Sequence, residues 1–309
     1  MKALALAGVM TLMAFQAFAQ TGDTVLTTPT GHELNVSVGG YTYVEPGALK
    51  ISIHGTQIGG EYTGTLPLNS RQHWFGQADV RGSAGTLTYD GWCSPFLITP
   101  NSASPNGYEL DEGDASSCSE SGERNWYLDA RALVGKDFVA HNWGLSPDTG
   151  VGIRHLSSGL SGVAGYRTDD YLYVPFGLTA RTLLASRRVV SVNVEYDRLL
   201  HGWQKTRDSE LGGGDFPATP TAPAFTIDGF DDVSFAQHSG WAMRASAKLH
   251  VTRHWSVEPS YIHWSVGASP VSDETATFTV NHITAQEPRG FYEPANTTNE
   301  FLVKLGFHF

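Results

Sequence analysis

The sequence predicts an all-β chain: a single closed antiparallel transmembrane β-barrel of about ten strands with long extracellular loops. Three observations carry that expectation. Apolar and polar residues alternate along many short segments, and the connections between those segments alternate between tight and long. The chain also opens on a short apolar leader, yet nothing after it approaches the ~20 apolar residues of a helical span.

The leader comes first. Lys2 precedes an apolar run from Ala3 to Phe15, and Ala17-Phe18-Ala19 has the A-x-A form of an export cleavage site. Residues 1–19 are therefore expected to be a signal peptide, and residues 20–309 the barrel domain, beginning at Gln20. Loss of Lys2 takes the formal net charge from -11 to -12. So acidic a chain is a poor partner for nucleic acid, which requires a basic face.

The strands follow in order. Trp74, Gly76, Ala78 and Val80 alternate with His73, Gln77, Asp79 and Arg81, and Trp126, Leu128, Ala130 and Ala132 with Tyr127, Asp129 and Arg131. Leu172, Val174, Phe176, Leu178 and Ala180 share one face of the next clear run, opposite Arg181. Val190, Val192, Val194 and Tyr196 alternate with Glu195 and Asp197 among others. Trp241, Met243, Ala245, Ala247 and Leu249 alternate with Arg244 and Lys248. Strands are expected near 33–45, 48–66, 70–89, 125–138, 146–159, 168–185, 188–205, 239–251, 255–268 and 298–309. Thr275–Ile283 also has strand character, read as strands continuing beyond the bilayer.

By parity, Asp79, Arg81, Asp129, Arg131, Arg181, Glu195, Asp197, Arg244, Lys248 and Lys304 point into the lumen. Such residues either line a narrow pore or pair and plug the barrel, since small barrels are filled by side chains. The connections give the topology. Tight ones fall at Leu68–Ser70, Ala185–Arg188 and Val251–His254, and long ones at Asp90–Arg124, Thr206–His238 and Ser269–Thr297. Counted from the N-terminus, all three long connections lie at one end, where barrels of this type carry their outer loops. Glu45-Pro46-Gly47-Ala48 forms a tight turn at that same end. Trp126, Trp241 and Trp255 fall at strand ends, where aromatic rings meet lipid headgroups.

The final strand is the most specific. Phe301, Val303, Leu305, Phe307 and Phe309 alternate with Glu300, Lys304, Gly306 and His308, and the chain ends on Phe. This resembles the C-terminal strand of Gram-negative outer-membrane proteins. That resemblance implies an outer-membrane location with a periplasmic C-terminus. It also implies two kinds of partner: the barrel-assembly machinery, and the surrounding lipid and lipopolysaccharide. Cys93 and Cys118, an even pair in an exported chain without further Cys or His ligands nearby, are expected to form a disulfide rather than a metal site.

Three patterns bear on activity. Size, strand number and long loops resemble the omptins, outer-membrane proteases that use an aspartate pair and an Asp-x-His couple. This chain contains no Asp-x-His, and the stretch from Asp90 lacks the family's Asp-Trp-x-Asp run, so no general base stands in the family's position. His155-x-Ser157, with Val151 and Ile153 on the same parity, is similar to the lipid-facing His-x-Ser of outer-membrane lipid A deacylases. There the serine attacks an acyl ester; no acidic partner is identifiable here by pattern. Glu109, Asp111, Glu112 and Asp114, with Asp228, Asp231 and Asp232, are spaced to hold Ca²⁺ but lack an EF-hand's ligand run, so they read as solvated acidic loops. No cofactor and no metal are expected. The sequence thus favours a structural, narrow-channel or surface-interaction barrel, with a surface hydrolase (omptin-like protease or lipid A acyl-ester hydrolase) as the alternative.

Overall fold

The computed structural model describes residues 26–47, 50–159, 166–184, 188–210 and 213–309. The expected signal peptide and Gln20 lie outside the described residues, as do Ala48 of the first hairpin and 185–187 of a tight turn. The first strands are β1 (Gly31–Glu45), β2 (Ile51–Asn69), β3 (Trp74–Cys93), β4 (Phe96–Pro100), β5 (Tyr108–Glu112) and β6 (Ser116–Lys136). Next come β7 (Phe138–Ala140), β8 (Trp143–Ser158), β9 (Tyr166–Leu183), β10 (Val189–Arg207), β11 (Gly214–Phe216) and β12 (Phe225–Phe230). The chain ends with β13 (Val233–Gln237), β14 (Gly240–His250), β15 (Trp255–Val266), β16 (Ser272–Val280), β17 (Ile283–Phe291) and β18 (Asn296–His308).

Ten of these close a barrel in the order β1-β2-β3-β6-β8-β9-β10-β14-β15-β18, every neighbour antiparallel. β18 pairs back onto β1 from Glu33↔His308 to Val44↔Thr297, which leaves no free edge in the ring. Closure matters because an unpaired backbone edge has no partner in lipid. All ten expected strands are present.

Alternation decides what faces where. Val36 (65 % exposed), Ile58, Ile153 (59 %), Phe176, Phe301 and Leu305 all point outward. An apolar surface of this size encircling the ring is stable only against lipid, so the barrel spans a membrane. Trp74, Trp143, Trp255 and Phe307 ring the end with the tight turns, and Trp126, Trp203 and Trp241 lie toward the end with the loops. These are hereafter the turn end and the loop end. At the turn end, Asn69 accepts the amides of Arg71 and Gln72 at 3.1 and 3.2 Å, and Thr252 accepts those of His254 and Trp255 at 3.3 and 3.0 Å. These side-chain caps let the chain reverse within four residues.

Two bulges break the alternation. The β3–β6 register shifts at Leu87/Thr88 opposite Gly122, whose φ of +100° suits glycine. Along β10 the register shifts between Leu199 and His201, so beyond it Gly202, Gln204 and Thr206 turn inward and Trp203 and Lys205 turn out.

The long connections are more ordered than loops. β3 and β6 stay paired as far as Cys93↔Ser116, and the Cys93–Cys118 disulfide (Cα–Cα 5.8 Å) clamps their ends. Beyond them β4–β5 form a hairpin, and β11-β12-β16-β17 a separate sheet. Ile98 and Leu110 of the hairpin share a core with Phe225, Ile227, Phe230, Phe278 and Val280 of the sheet. Arg289 of β17 also pairs with Glu112 of β5 at 2.6 Å. The Thr275–Ile283 stretch therefore belongs to this cap and does not prolong a barrel strand. It turns through Asn281 and His282 (φ +50° and +68°), the two left-handed positions of a tight β-hairpin.

A segment enters the lumen at each end. At the turn end, residues 26–30 run from β1 across to β8 on the far wall. There the Thr28 amide and hydroxyl donate to Asp137 at 3.0 and 2.7 Å, and buried Leu26 abuts Gly144. At the loop end, Glu293, from the connection between β17 and β18, dips into the mouth. It accepts from Gln204 at 2.8 Å, Tyr43 at 3.1 Å and Arg167 at 3.2 Å.

Candidate functional site

The inner face comes first, because it occupies the place of a pore. Alternation turns Asp79, Arg81, Asp129, Arg131, Arg181, Glu195, Asp197, Arg244, Lys248 and Lys304 inward, and each makes an ion pair there. Arg244 meets Asp129 at 2.9 Å and Asp197 at 2.6 Å; Arg81 meets Asp129 at 2.8 Å. Arg131 bridges Asp79, at 2.9 Å, and Glu195. Nearer the turn end, Lys304 meets Glu61 at 2.6 Å and Lys248 meets Glu33 at 2.8 Å, with Glu258 shared between the two lysines at 3.2 and 3.1 Å. Arg181 lies 3.8 Å from Asp137.

Sequence reasoning missed Arg154 and Glu300, which pair at 2.6 Å and are wholly buried. Arg154 lies 4.3 Å over the ring of Tyr127, whose hydroxyl donates to Glu300 at 2.8 Å. Glu300 shares the parity of Lys304 in the last strand, so the signal was present. Charges this densely compensated, with Trp264, Tyr171 and Tyr173 packed among them, leave a residual space of about 180 Å³ toward the turn end. The inner face is thus lined by paired charges and aromatic rings.

The outer wall carries a polar constellation near the loop end. Val151, Ile153, His155 and Ser157 occupy the outward face of β8. The β8–β9 register sets His155 opposite Asp170 and Ser157 opposite Thr168. His155 Nδ1 and Asp170 Oδ1 are 2.7 Å apart, and the His155 ring leans on Trp126 with 5.1 Å between centroids. Ser157 Oγ donates to the Tyr166 hydroxyl at 2.6 Å. A shallow depression between β6, β8, β9 and the end of β10 is lined by Trp126, His155, Ser157, Tyr166, Thr168, Arg207 and Glu210, the last two paired at 3.3 Å. Ser157 itself is 1 % exposed.

This arrangement has a specific chemical meaning. A histidine whose Nδ1–H is held by a carboxylate keeps its Nε2 lone pair, and two residues along the same strand face stands a hydroxyl. The sequence supplied His155 and Ser157 but not the acid. Asp170 lies on the next strand, and only the register of the hairpin brings it opposite His155.

The other candidate residues do not assemble in this way. His54 and Asp90 are 3.6 Å apart and both about half exposed. His201 makes tilted ring contacts with Trp203 and His238, and His282 sits in the β16–β17 turn. In the acidic loops, Glu109 accepts from Thr99 and Asn101, Asp228 from Thr279, and Asp232 from Ser209 and Lys205. The last two hydrogen bonds hold the Asp232 carboxyl below the usual carboxylate range. Among the described residues no group of three His, Cys, Asp or Glu is placed to hold a metal.

No protein-family model matches the chain, and no curated protein matches it. Among solved structures, the outer membrane protease OmpT from Escherichia coli is similar at 11 % identity and TM-score 0.45, over 91 % of this chain and 98 % of that one. An outer membrane channel from Pseudomonas putida F1 matches at 10 % identity and TM-score 0.39, over 94 % and 100 %. The translocator domain of the autotransporter NalP from Neisseria meningitidis matches at 9 % and 0.35, over 93 % and 91 %. A protease, a channel and a translocator are unlike activities, so what this chain does has to be argued from its own residues.

Proposed function

We propose that this chain is an integral outer-membrane barrel whose sealed interior is a scaffold, and whose lipid-facing wall carries a serine esterase acting on acyl esters of membrane lipid. The observation that carries the reading is the 2.7 Å His155–Asp170 contact on the strand face that presents Ser157. In this reading Nε2 of His155 takes the Ser157 proton as Oγ attacks the acyl carbonyl. The proton then passes to the departing alcohol, and a water activated by the same histidine hydrolyses the acyl-serine, releasing a fatty acid. Asp170 fixes the tautomer and offsets the charge of the imidazolium.

The position of the site supports the same substrate class. Leu128, Val151 and Ile153 flank it on the side of the apolar belt, while Arg124, Lys205 and Arg207 stand on the loop side. An acyl chain would lie along the belt, with its ester at the level of Ser157. The export leader, the alternating loop lengths and the C-terminal Phe support delivery to the outer membrane by the assembly machinery. They also support loops on the cell surface and a periplasmic C-terminus. A solvated surface protease finds no support in a hydroxyl facing lipid.

The test is fatty-acid release from lipopolysaccharide or from diacyl phospholipid vesicles containing the purified barrel. Wild-type protein is expected to release acid, and Ser157→Ala to lose about 10³-fold or more of that rate. The variant should keep the gel shift on boiling that marks a closed barrel. If the wild-type protein releases nothing from either lipid, the esterase reading fails and a sealed scaffold remains.

A further inference from the structure

We infer that the Tyr166 phenol is a catalytic group of this site: the hydrogen-bond donor that stabilises the oxyanion formed when Ser157 attacks. The inference rests on the esterase reading above and adds to it a residue that the His-x-Ser pattern does not contain.

A serine esterase needs more than a nucleophile and a base. As Oγ bonds to the acyl carbon, the carbonyl π electrons move onto oxygen, and that charge must meet a donor already in place. The surroundings of Ser157 restrict the choice. Trp126 and His155 flank it, and the backbone amides of β8 and β9 are committed to the barrel ladder. Among the described residues, Thr168 stands opposite in register, and the Ser158 hydroxyl next in sequence accepts from Asn125. The Tyr166 hydroxyl, by contrast, is already 2.6 Å from Oγ.

In the tetrahedral intermediate the oxyanion and Oγ sit on the same carbon. A donor in contact with Oγ before attack is therefore within a small ring rotation of the oxyanion after it. The same rotation breaks the hydrogen bond that Ser157 donates to the phenol at rest, so freeing Oγ and aiming the donor are one movement.

A second contact tunes the phenol. The Arg207 guanidinium lies 5.7 Å over the Tyr166 ring, opposite it in the β9–β10 register. A cation over the ring face draws density from the aromatic system and strengthens O–H donation.

The step balances without any outside reagent. The Oγ–C bond forms as the Oγ proton goes to His155 Nε2, and the carbonyl oxygen gains the π pair while accepting from the Tyr166 O–H. On collapse the pair returns, the C–O bond to the alcohol breaks, and that alcohol leaves with the proton from His155. Tyr166 donates a hydrogen bond throughout and is not consumed.

Tyr166→Phe removes one oxygen and keeps the ring. It is expected to lower kcat by about 10²–10³-fold with KM unchanged, the loss seen when one oxyanion donor is removed. The rate of Ser157 labelling by an alkyl fluorophosphonate should fall in parallel with kcat/KM. If Tyr166→Phe keeps kcat within about threefold while Ser157→Ala is inactive, the assignment of Tyr166 is overturned and the esterase reading stands. If Ser157→Ala remains active, the esterase reading itself falls, and the assignment falls with it. A second measurement needs no variant: in a structure of the phosphonate adduct, Tyr166 Oη should lie within about 3.2 Å of the phosphonyl oxygen. A separation beyond hydrogen-bond reach overturns the assignment.

Discussion

The inner and outer faces of this barrel both place charge in a low-dielectric setting, and they do so to opposite effect. Inside, Arg244 contacts Asp129, Glu195 and Asp197, and Lys248 and Lys304 share Glu258, so each of these carboxylates meets a guanidinium or ammonium. Such pairs hold one another in position. On the outer wall a half-exposed carboxylate meets an imidazole, and a hydroxyl stands two residues along the same strand face. The contrast teaches that the number of charges is a poor guide to function. A densely paired network points to support, and an exposed pair beside a hydroxyl is where the proposed chemistry is placed.

The largest expected effect breaks the outer site alone. Asp170→Asn keeps the shape of the side chain but favours the wrong histidine tautomer, and is expected to reduce ester hydrolysis by about 10²–10⁴-fold. Urea unfolding of the same variant should match the wild type. Full activity with Asn at 170 would detach the acid from the mechanism.

Arg244→Met probes the inner face. It leaves Asp129, Glu195 and Asp197 short of a counter-charge and is expected to cost about 3–5 kcal/mol of unfolding free energy in detergent, while fatty-acid release per folded molecule stays within twofold. An unchanged urea midpoint would show that the inner network does not depend on its central cation.

The smallest effect lies in the cap. Buried Glu274 (3 % exposed) is pushed up to about 8 by desolvation and by the Asp208 carboxyl beside it. A carboxyl with a raised pKa stays protonated in the folded cap after it would have ionised in the unfolded chain. Cap stability should therefore be greatest at low pH and decline from about pH 4.5 to about pH 8. Hydrogen-exchange protection of β16 and β17, corrected for intrinsic rate, should follow that decline, and Glu274→Gln should flatten it. Protection that rises with pH would contradict the shared proton.

The barrel was legible because each membrane-crossing strand must present lipid on one side and a packed interior on the other. Val192 to Tyr196 and Phe301 to Phe309 report that constraint directly. The same logic explains what stayed hidden. Past the bilayer both faces of a strand meet water or a neighbouring loop, so the continuation of β3 and β6 to Cys93 and Ser116 carries no alternation. Phe96, Phe225 and Phe278 come from three separate connections, and only folding shows that they share a core. At the site, His155-x-Ser157 was visible as a pattern within one strand. Asp170 was not, because its place opposite His155 depends on where the β8–β9 hairpin turns, which no local spacing encodes.

The short segment before β1 has a mechanical consequence. A hoop of hydrogen-bonded strands strongly resists stretching around its circumference but flattens readily into an ellipse. Residues 26–30 leave the wall at the β1–β18 seam and anchor through Thr28 to Asp137, next to the opposite wall. They act as a chord drawn across the hoop. A chord under load resists the one deformation the hoop itself cannot, so trimming these residues should leave a barrel that is still closed but softer in cross-section at its turn end.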